Sequence, residues 1–247
     1  MKVLKAPAGR SVYVISLSEG GKTIIKNIIR LIYPPKCIFC GCLVEIKSEV
    51  DICAECMGKI PFSAEGMTES LLNFGNKGYC DGVVYVCEYS GIIKEALIKY
   101  KFFEKSSYFR AFAKLLTAKL NKMVITEAFD LIISIPLHKS KEKSRGYNQS
   151  ELISKVISKE INIPVKSALL SRVKNTQAQS LLTGKVRLSN VVGAFKVNDL
   201  SALKGKNILL IDDILTTGNT INECCKVLKG SGANRVFAAV IASGRKY

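Results

Sequence analysis

Two adjacent carboxylates, Asp212 and Asp213, end an apolar run and are followed by Thr216, Thr217, Gly218, Asn219 and Thr220. The run Ile208 to Ile211 is apolar without alternation, the pattern of a parallel strand covered on both faces. Residues 221–229 then resume with helical spacing. Strand, short loop and helix in that order place the acids at the carboxyl end of a strand, where open α/β sheets gather their ligands. The threonines and Gly218 offer hydroxyls, backbone N–H groups and one unhindered turn at a helix N-terminus, which suits a phosphate. Carboxylates repel a phosphate, so Asp212 and Asp213 suit sugar hydroxyls or a hard cation such as Mg²⁺. Cradle and acids together imply a phosphorylated sugar. A capped helix after a core strand would need one Thr or Asp, not two acids and three threonines.

A second set of residues fits a metal. Cys37-x-x-Cys40 and Cys53-x-x-Cys56 are separated by twelve residues. Two such knuckles can bring four thiolates to the tetrahedral positions of Zn²⁺, and the ion supplies folding energy to a segment too small for its own core. The competing readings are surface thiols or a redox pair. Cys42 could exchange into the coordination shell or be spare, and spacing favours Cys40. The cysteines number nine, an odd count in a 247-residue chain, so reduced thiols are expected rather than a disulfide framework.

Cationic and polar stretches lie between these sites. Ile135-Pro136-Leu137-His138 leads into Lys139, Lys141, Lys143 and Arg145, and Gly146-Tyr147-Asn148-Gln149 opens a helix. A cationic loop leaving a strand end could stabilise a departing diphosphate; lysines alone would also suit a solvated loop. His138 is the only histidine and is given no catalytic role. Arg172, Thr176, Gln179 and Arg187 fall in a long polar stretch between Leu170 and Val191, readable as a lid or as a plain disordered loop. Phe102, Phe103 and Tyr108 interleave with Lys99, Lys101, Lys105 and Arg110. They could line a groove for single strands or form an ordinary amphipathic helix with core aromatics.

The elements that must position these residues read as α/β. Strands are predicted over residues 83–89, 131–135, 191–197 and 235–241, and helices over 92–99, 109–123 and 150–160. This alternation argues for a mostly parallel sheet with helices on both faces. Residues 23–33 have the spacing of an amphipathic helix, stopped by Pro34 and Pro35, which either docks on its own domain or lies on a membrane. Residues 1–21 read as a poorly ordered lead-in. Gly21-Lys22-Thr23 is not a P-loop, which needs glycine where Ser16 stands. The expected division is residues 1–35 for the lead-in and helix, 36–79 for the zinc module and 80–247 for the α/β domain. The net charge of +17 fits nucleic acid, anionic lipid or a multiply phosphorylated metabolite. With no secretory pattern and no bilayer-length apolar run, a cytoplasmic protein is expected.

The strand, acids and T-T-G-N-T loop resemble the phosphoribosyl diphosphate (PRPP) signature of type I phosphoribosyltransferases. P-L-H-x6-R-G-Y-N-Q at 136–149, R-x3-T-x2-Q at 172–179, R-x2-N-x4-F at 187–195 and I-Y-P-P-x-C-x-x-C at 32–40 complete a set similar to the ComF family of competence-associated proteins. The resemblance covers residues 28–247. It implies a type I phosphoribosyltransferase fold behind an N-terminal Cys₄ zinc module, with PRPP bound through Asp212, Asp213, Thr216, Thr217, Gly218, Asn219, Thr220 and Lys139. Mg²⁺ would bridge ribose and diphosphate, secondarily through Asp212 and Asp213, and Asp212, Asp213 and Arg145 would be the catalytic set. Single-stranded DNA and the competence helicase machinery are the implied partners. A glutamine-dependent amidophosphoribosyltransferase needs a glutaminase half with a mature N-terminal cysteine, for which this chain has no room, so ammonia from glutamine is not the expected acceptor. The residues name no other.

Overall fold

The computed structural model describes residues 2–5, 11–14, 33–46, 48–64, 78–102, 105–123, 129–174 and 191–244. Strands β1 (Lys2–Lys5) and β2 (Ser11–Val14) pair antiparallel, Lys2 opposite Val14 and Lys5 opposite Ser11. This corrects the expectation of a poorly ordered lead-in. Val3, Leu4, Val12, Tyr13 and Val14 are strand formers, a signal outweighed in the sequence by the intervening Pro7 and Gly9. The helix expected over residues 23–33 lies, but for its last residue, outside the described residues. The chain divides into two units, Met1–Cys53 and Ala54–Tyr247.

In the first unit, residues 37–42 close a tight knuckle. The Cys37 N–H donates to the Cys42 carbonyl at 2.8 Å and the Gly41 N–H to the Cys37 carbonyl at 2.9 Å. Gly41 has φ +78°, a left-handed conformation that glycine adopts without steric cost. Ile38 and Ile52 are buried.

The second unit opens with the short helix α1 (Ala54–Gly58) and continues through β3 (Gly82–Glu88), α2 (Gly91–Phe102), α3 (Phe109–Lys122) and β4 (Leu131–Ser134). Next come α4 (Lys139–Arg145), α5 (Gln149–Ile161), β5 (Leu170–Arg172) and β6 (Phe195–Val197). The last elements are β7 (Asn207–Leu215), α6 (Asn219–Gly230) and β8 (Arg235–Ser243). Four strands form one parallel sheet in the order β3-β8-β7-β4. Their runs are buried on both faces, as a parallel sheet between helix layers requires. On one face Val83, Ile133, Leu210 and Val236 pack with Ile221, Cys224, Cys225 and Leu228 of α6 and Phe195 of β6. On the other, α3 and α5 pack on each other and against the sheet, burying Phe112, Leu116, Ile153 and Ile157. The fold expected from the sequence, a parallel sheet with helices on both faces, is the one found.

Three local expectations change. Residues 139–145 form helix α4 instead of a loop, capped by His138, whose Nδ1 accepts the Ser140 N–H, and ended by Gly146 at φ +81°. The strand expected over 191–197 shrinks to β6, because residues 191–193 turn with Gly193 at φ +63°. β6 joins a separate antiparallel pair with β5, Arg172 opposite Phe195, so Arg172 belongs to a strand and not to a long loop.

Candidate functional site

β7 runs on to Leu215, so both acids lie inside a strand, with Asp212 in register with Val240 of β8. Beside it β4 ends at Ser134, opposite Ile211. From β7 the chain returns to β8 through α6, while α4 and α5 follow β4. The carboxyl end of β7 is therefore where helical connections leave toward different layers, a position that favours ligand binding in open sheets.

Asp212 Oδ1 accepts the Ser150 hydroxyl at 3.0 Å and the Asp213 N–H at 2.9 Å. Asp213 is buried, and its Oδ1 lies 3.0 Å from Lys101 Nζ. Removal from water, followed by the adjacent Asp213 charge, pushes the Asp212 carboxyl up to about 7, against the opposing pull of Lys101 and the two donors. A raised carboxyl beside a charge-paired neighbour lets the pair work as one acceptor and one donor toward a polyhydroxy ligand.

The R-G-Y-N-Q segment braces this arrangement. Asn148 Nδ2 donates to the Ile135 carbonyl at 3.0 Å, and its Oδ1 caps α5 by accepting the Ser150 N–H at 3.0 Å. The exit of β4 is thereby tied to the residue that holds Asp212. Tyr147 donates to the Tyr100 carbonyl at 2.6 Å, and Tyr100 donates to the Gln149 carbonyl at 2.9 Å. These two phenols lock the end of α2, and with it Lys101, to the start of α5. Arg145 Nη1 donates to Gln149 Oε1 at 2.8 Å, and its guanidinium lies 5.5 Å from the Phe102 ring centroid.

A cationic group accompanies the acids. The Lys141 ammonium is held below its ordinary value by burial and by the charges of Arg172 and Arg145. Arg172 is lowered by burial and raised again by Cys224 and Asp212. Lys141 thus feels the charges of Arg145 and Arg172, and Arg172 feels Asp212. Lys139 instead is exposed at the first position of α4. Gly218, at φ +78°, is the N-cap of α6, so Thr216, Thr217 and Gly218 lead directly into the helix whose first-turn N–H groups have no acceptor within the helix. Thr176, Gln179, Arg187 and Phe103 lie outside the described residues. Ser150 and Tyr100 were not expected as site residues, Lys141 was expected only as part of the cationic stretch 139–145, and Lys101 only as part of a groove for single strands. Lys101 read as a groove or helix-surface cation and Ser150 as an ordinary first-turn helix residue, and the helix packing brings both to the acids.

The four cysteines expected as ligands also converge: the sulfurs of Cys37, Cys40, Cys53 and Cys56 lie within 4.8 Å of one another. Cys40 and Cys53 are 3.7 Å apart, close to the edge of about 3.8 Å that a tetrahedron with Zn–S bonds of about 2.3 Å would have. Cys37 and Cys56 are buried and Cys40 is exposed. The donor set fits structural zinc.

Comparison with known proteins finds matches to both parts of the chain. Residues 112–247 match the phosphoribosyl transferase domain and residues 28–68 the double zinc ribbon domain. The class is therefore a phosphoribosyltransferase-type α/β domain preceded by a zinc ribbon. Similarity runs to competence protein F of Haemophilus influenzae, 28% identical over 200 residues, covering 79% of this chain and 86% of that protein. Competence protein ComFC of Bacillus subtilis is 29% identical over 151 residues, covering 60% of this chain and 59% of that protein. A solved glutamine phosphoribosylpyrophosphate amidotransferase from B. subtilis aligns with a TM-score of 0.37 and 18% identity over 58% of this chain, which spans 30% of that structure's length. The chain belongs to the ComF family. Among the described residues no helix is long and apolar enough to cross a membrane.

Proposed function

We propose that this protein binds PRPP at the carboxyl end of β7 and transfers its phosphoribosyl group to a nucleophile whose identity is open. The observation that carries the reading is the acid pair Asp212–Asp213 leading through Thr216–Thr217–Gly218 into the N-terminus of α6. In this reading the 5-phosphate sits on residues 216–220, Asn219 included, and the ribose hydroxyls meet the two acids. Mg²⁺, held mainly by the substrate and secondarily by Asp212 and Asp213, would neutralise the diphosphate. Arg145, with Lys141 and Arg172, is the cationic group that stabilises the departing diphosphate as positive character grows at the anomeric carbon. Lys139 serves as an outer cation. Residues 36–79 form the zinc module and 80–247 the transferase domain. A module of reduced, zinc-binding thiols suits a reducing compartment, which supports a cytoplasmic location.

Isothermal titration with PRPP and Mg²⁺ tests the binding step. Saturable heat from wild type, lost in Asp212→Ala/Asp213→Ala, supports the reading; an equal signal from both proteins removes it. Diphosphate release with candidate acceptors tests turnover.

A second reading rests on the surface beside the site. Lys99, Lys105, Arg110 and Phe102 are exposed, and the relatives carry names tied to competence and DNA utilization. In this reading the protein binds single-stranded DNA in the context of DNA uptake, with the PRPP pocket regulatory. Lys101 is excluded from that surface by its bond to Asp213. Fluorescence anisotropy with a labelled oligonucleotide decides: counterion-driven binding weakens steeply with salt, and salt-independent binding contradicts it.

A further inference from the structure

The exposed corner of the four-cysteine cluster carries two sulfurs, not one. Cys42 Sγ lies 3.3 Å from Cys40 Sγ, and the Cys42 thiol also has Cys53 as a hydrogen-bond partner. The knuckle geometry explains the doublet. Gly41 at φ +78° and the Cys37 N–H bond to the Cys42 carbonyl curl the chain back, so that residues on both sides of Gly41 reach the same point. Cys37 and Cys56 are 3% and 5% exposed, whereas Cys40 and Cys42 both face solvent. Zinc in a structural site takes four ligands, so a fifth sulfur at this distance cannot be added; it can only replace one.

We propose that Cys40 and Cys42 are alternative ligands for one coordination position, exchanging at the solvent-facing vertex while Cys37, Cys53 and Cys56 stay bound. The step balances: the bond from zinc to Cys40 sulfur breaks, the bond to Cys42 sulfur forms, Cys42 gives up its proton and the departing Cys40 thiolate takes one. The consequence is a module that keeps its metal when either outer thiol is alkylated or oxidised. The inference rests on the zinc reading of the cluster.

The test uses the full chain with its native metal, in wild type, Cys40→Ser, Cys42→Ser and Cys40→Ser/Cys42→Ser. Zinc is measured by mass spectrometry and release is followed under chelator. Removing even a supporting partner of a ligand lowers metal affinity by about 10–100-fold, so losing both outer thiols should accelerate release by at least that order. Each single variant should retain one zinc per chain and, with Co²⁺ in place of zinc, the charge-transfer intensity of four thiolates. The double variant alone should fall to three. Cys40→Ser losing zinc as readily as the double variant would overturn the exchange while leaving the zinc site standing. Wild type purified without zinc would overturn both. Should the variants fold poorly, one equivalent of iodoacetamide on wild-type holoprotein replaces them: label shared between Cys40 and Cys42 supports exchange, and label confined to Cys42 contradicts it.

Discussion

Lys101 Nζ and Asp213 Oδ1 lie 3.0 Å apart, the carboxylate side chain 8% exposed and the lysine 25%. The pair links α2 to β7 and charge-compensates the deeper of the two acids. Breaking a buried pair by removing one partner costs about 3–5 kcal/mol, and the partial exposure of Lys101 reduces this to about 1–3 kcal/mol. Lys101→Met should lower the urea midpoint accordingly, and Lys101→Met/Asp213→Asn should recover most of the loss. A double variant as unstable as the sum of the singles would show that the two charges do not interact.

The raised Asp212 carboxyl carries a pH signature. Its folded value is about 7 against an ordinary 3.8, so between those limits the folded protein holds a proton that the unfolded chain has released. By linkage, stability falls as pH rises through this window and is fully reduced above about 7. Asp212→Asn should flatten that slope, melting higher than wild type at pH 8 and close to it at pH 4. Discounted for partial exposure, the gain is on the order of 1 kcal/mol, about 2–4 °C for a chain of this size. Parallel melting curves for the two proteins across pH 4–8 would contradict the assignment.

Asn148 holds two elements at once, and its role divides by substitution. Asn148→Ala loses the α5 cap and leaves the Ile135 carbonyl without its donor, a cost of about 1–3 kcal/mol. Asn148→Asp keeps the cap but not the donor and should fall between. Because the capped residue is Ser150, which holds Asp212, PRPP affinity should follow the same order by calorimetry. Unchanged affinity in Asn148→Ala would detach the brace from the site.

Much of this was legible in the sequence, for reasons that differ by residue. β7 and its acids stood out because a fully buried parallel strand leaves an apolar run that two carboxylates visibly end. The cysteine cluster was readable because zinc imposes spacing. Helix α4 was not, because Lys139, Lys141 and Lys143 give it no apolar face; its helical state rests on the His138 cap and Gly146. Lys101 was hidden for another reason. Its partner is 112 positions away in the chain, and helix packing, braced by the phenols of Tyr100 and Tyr147, brings them together.

Zinc removal should separate the cysteine module from the sheet. A strong chelator is expected to abolish hydrogen-exchange protection in residues 36–56 while strands β3, β4, β7 and β8 keep theirs, because those strands bury their apolar residues without help from the metal. Simultaneous loss of protection in β7 would show that the sheet depends on the ion.

Gly218 allows the phosphate cradle to be tested apart from folding. At φ +78° an alanine there pays about 1–2 kcal/mol for a left-handed backbone. Asparagine visits that region more readily, so Gly218→Asn should melt closer to wild type than Gly218→Ala. Under the proposed function its side chain would stand at the N-cap of α6, where the phosphoryl group approaches the helix N–H groups. Gly218→Asn should therefore remain folded by circular dichroism and show little heat with PRPP and Mg²⁺. Wild-type affinity in this variant would place the 5-phosphate elsewhere than on residues 216–220.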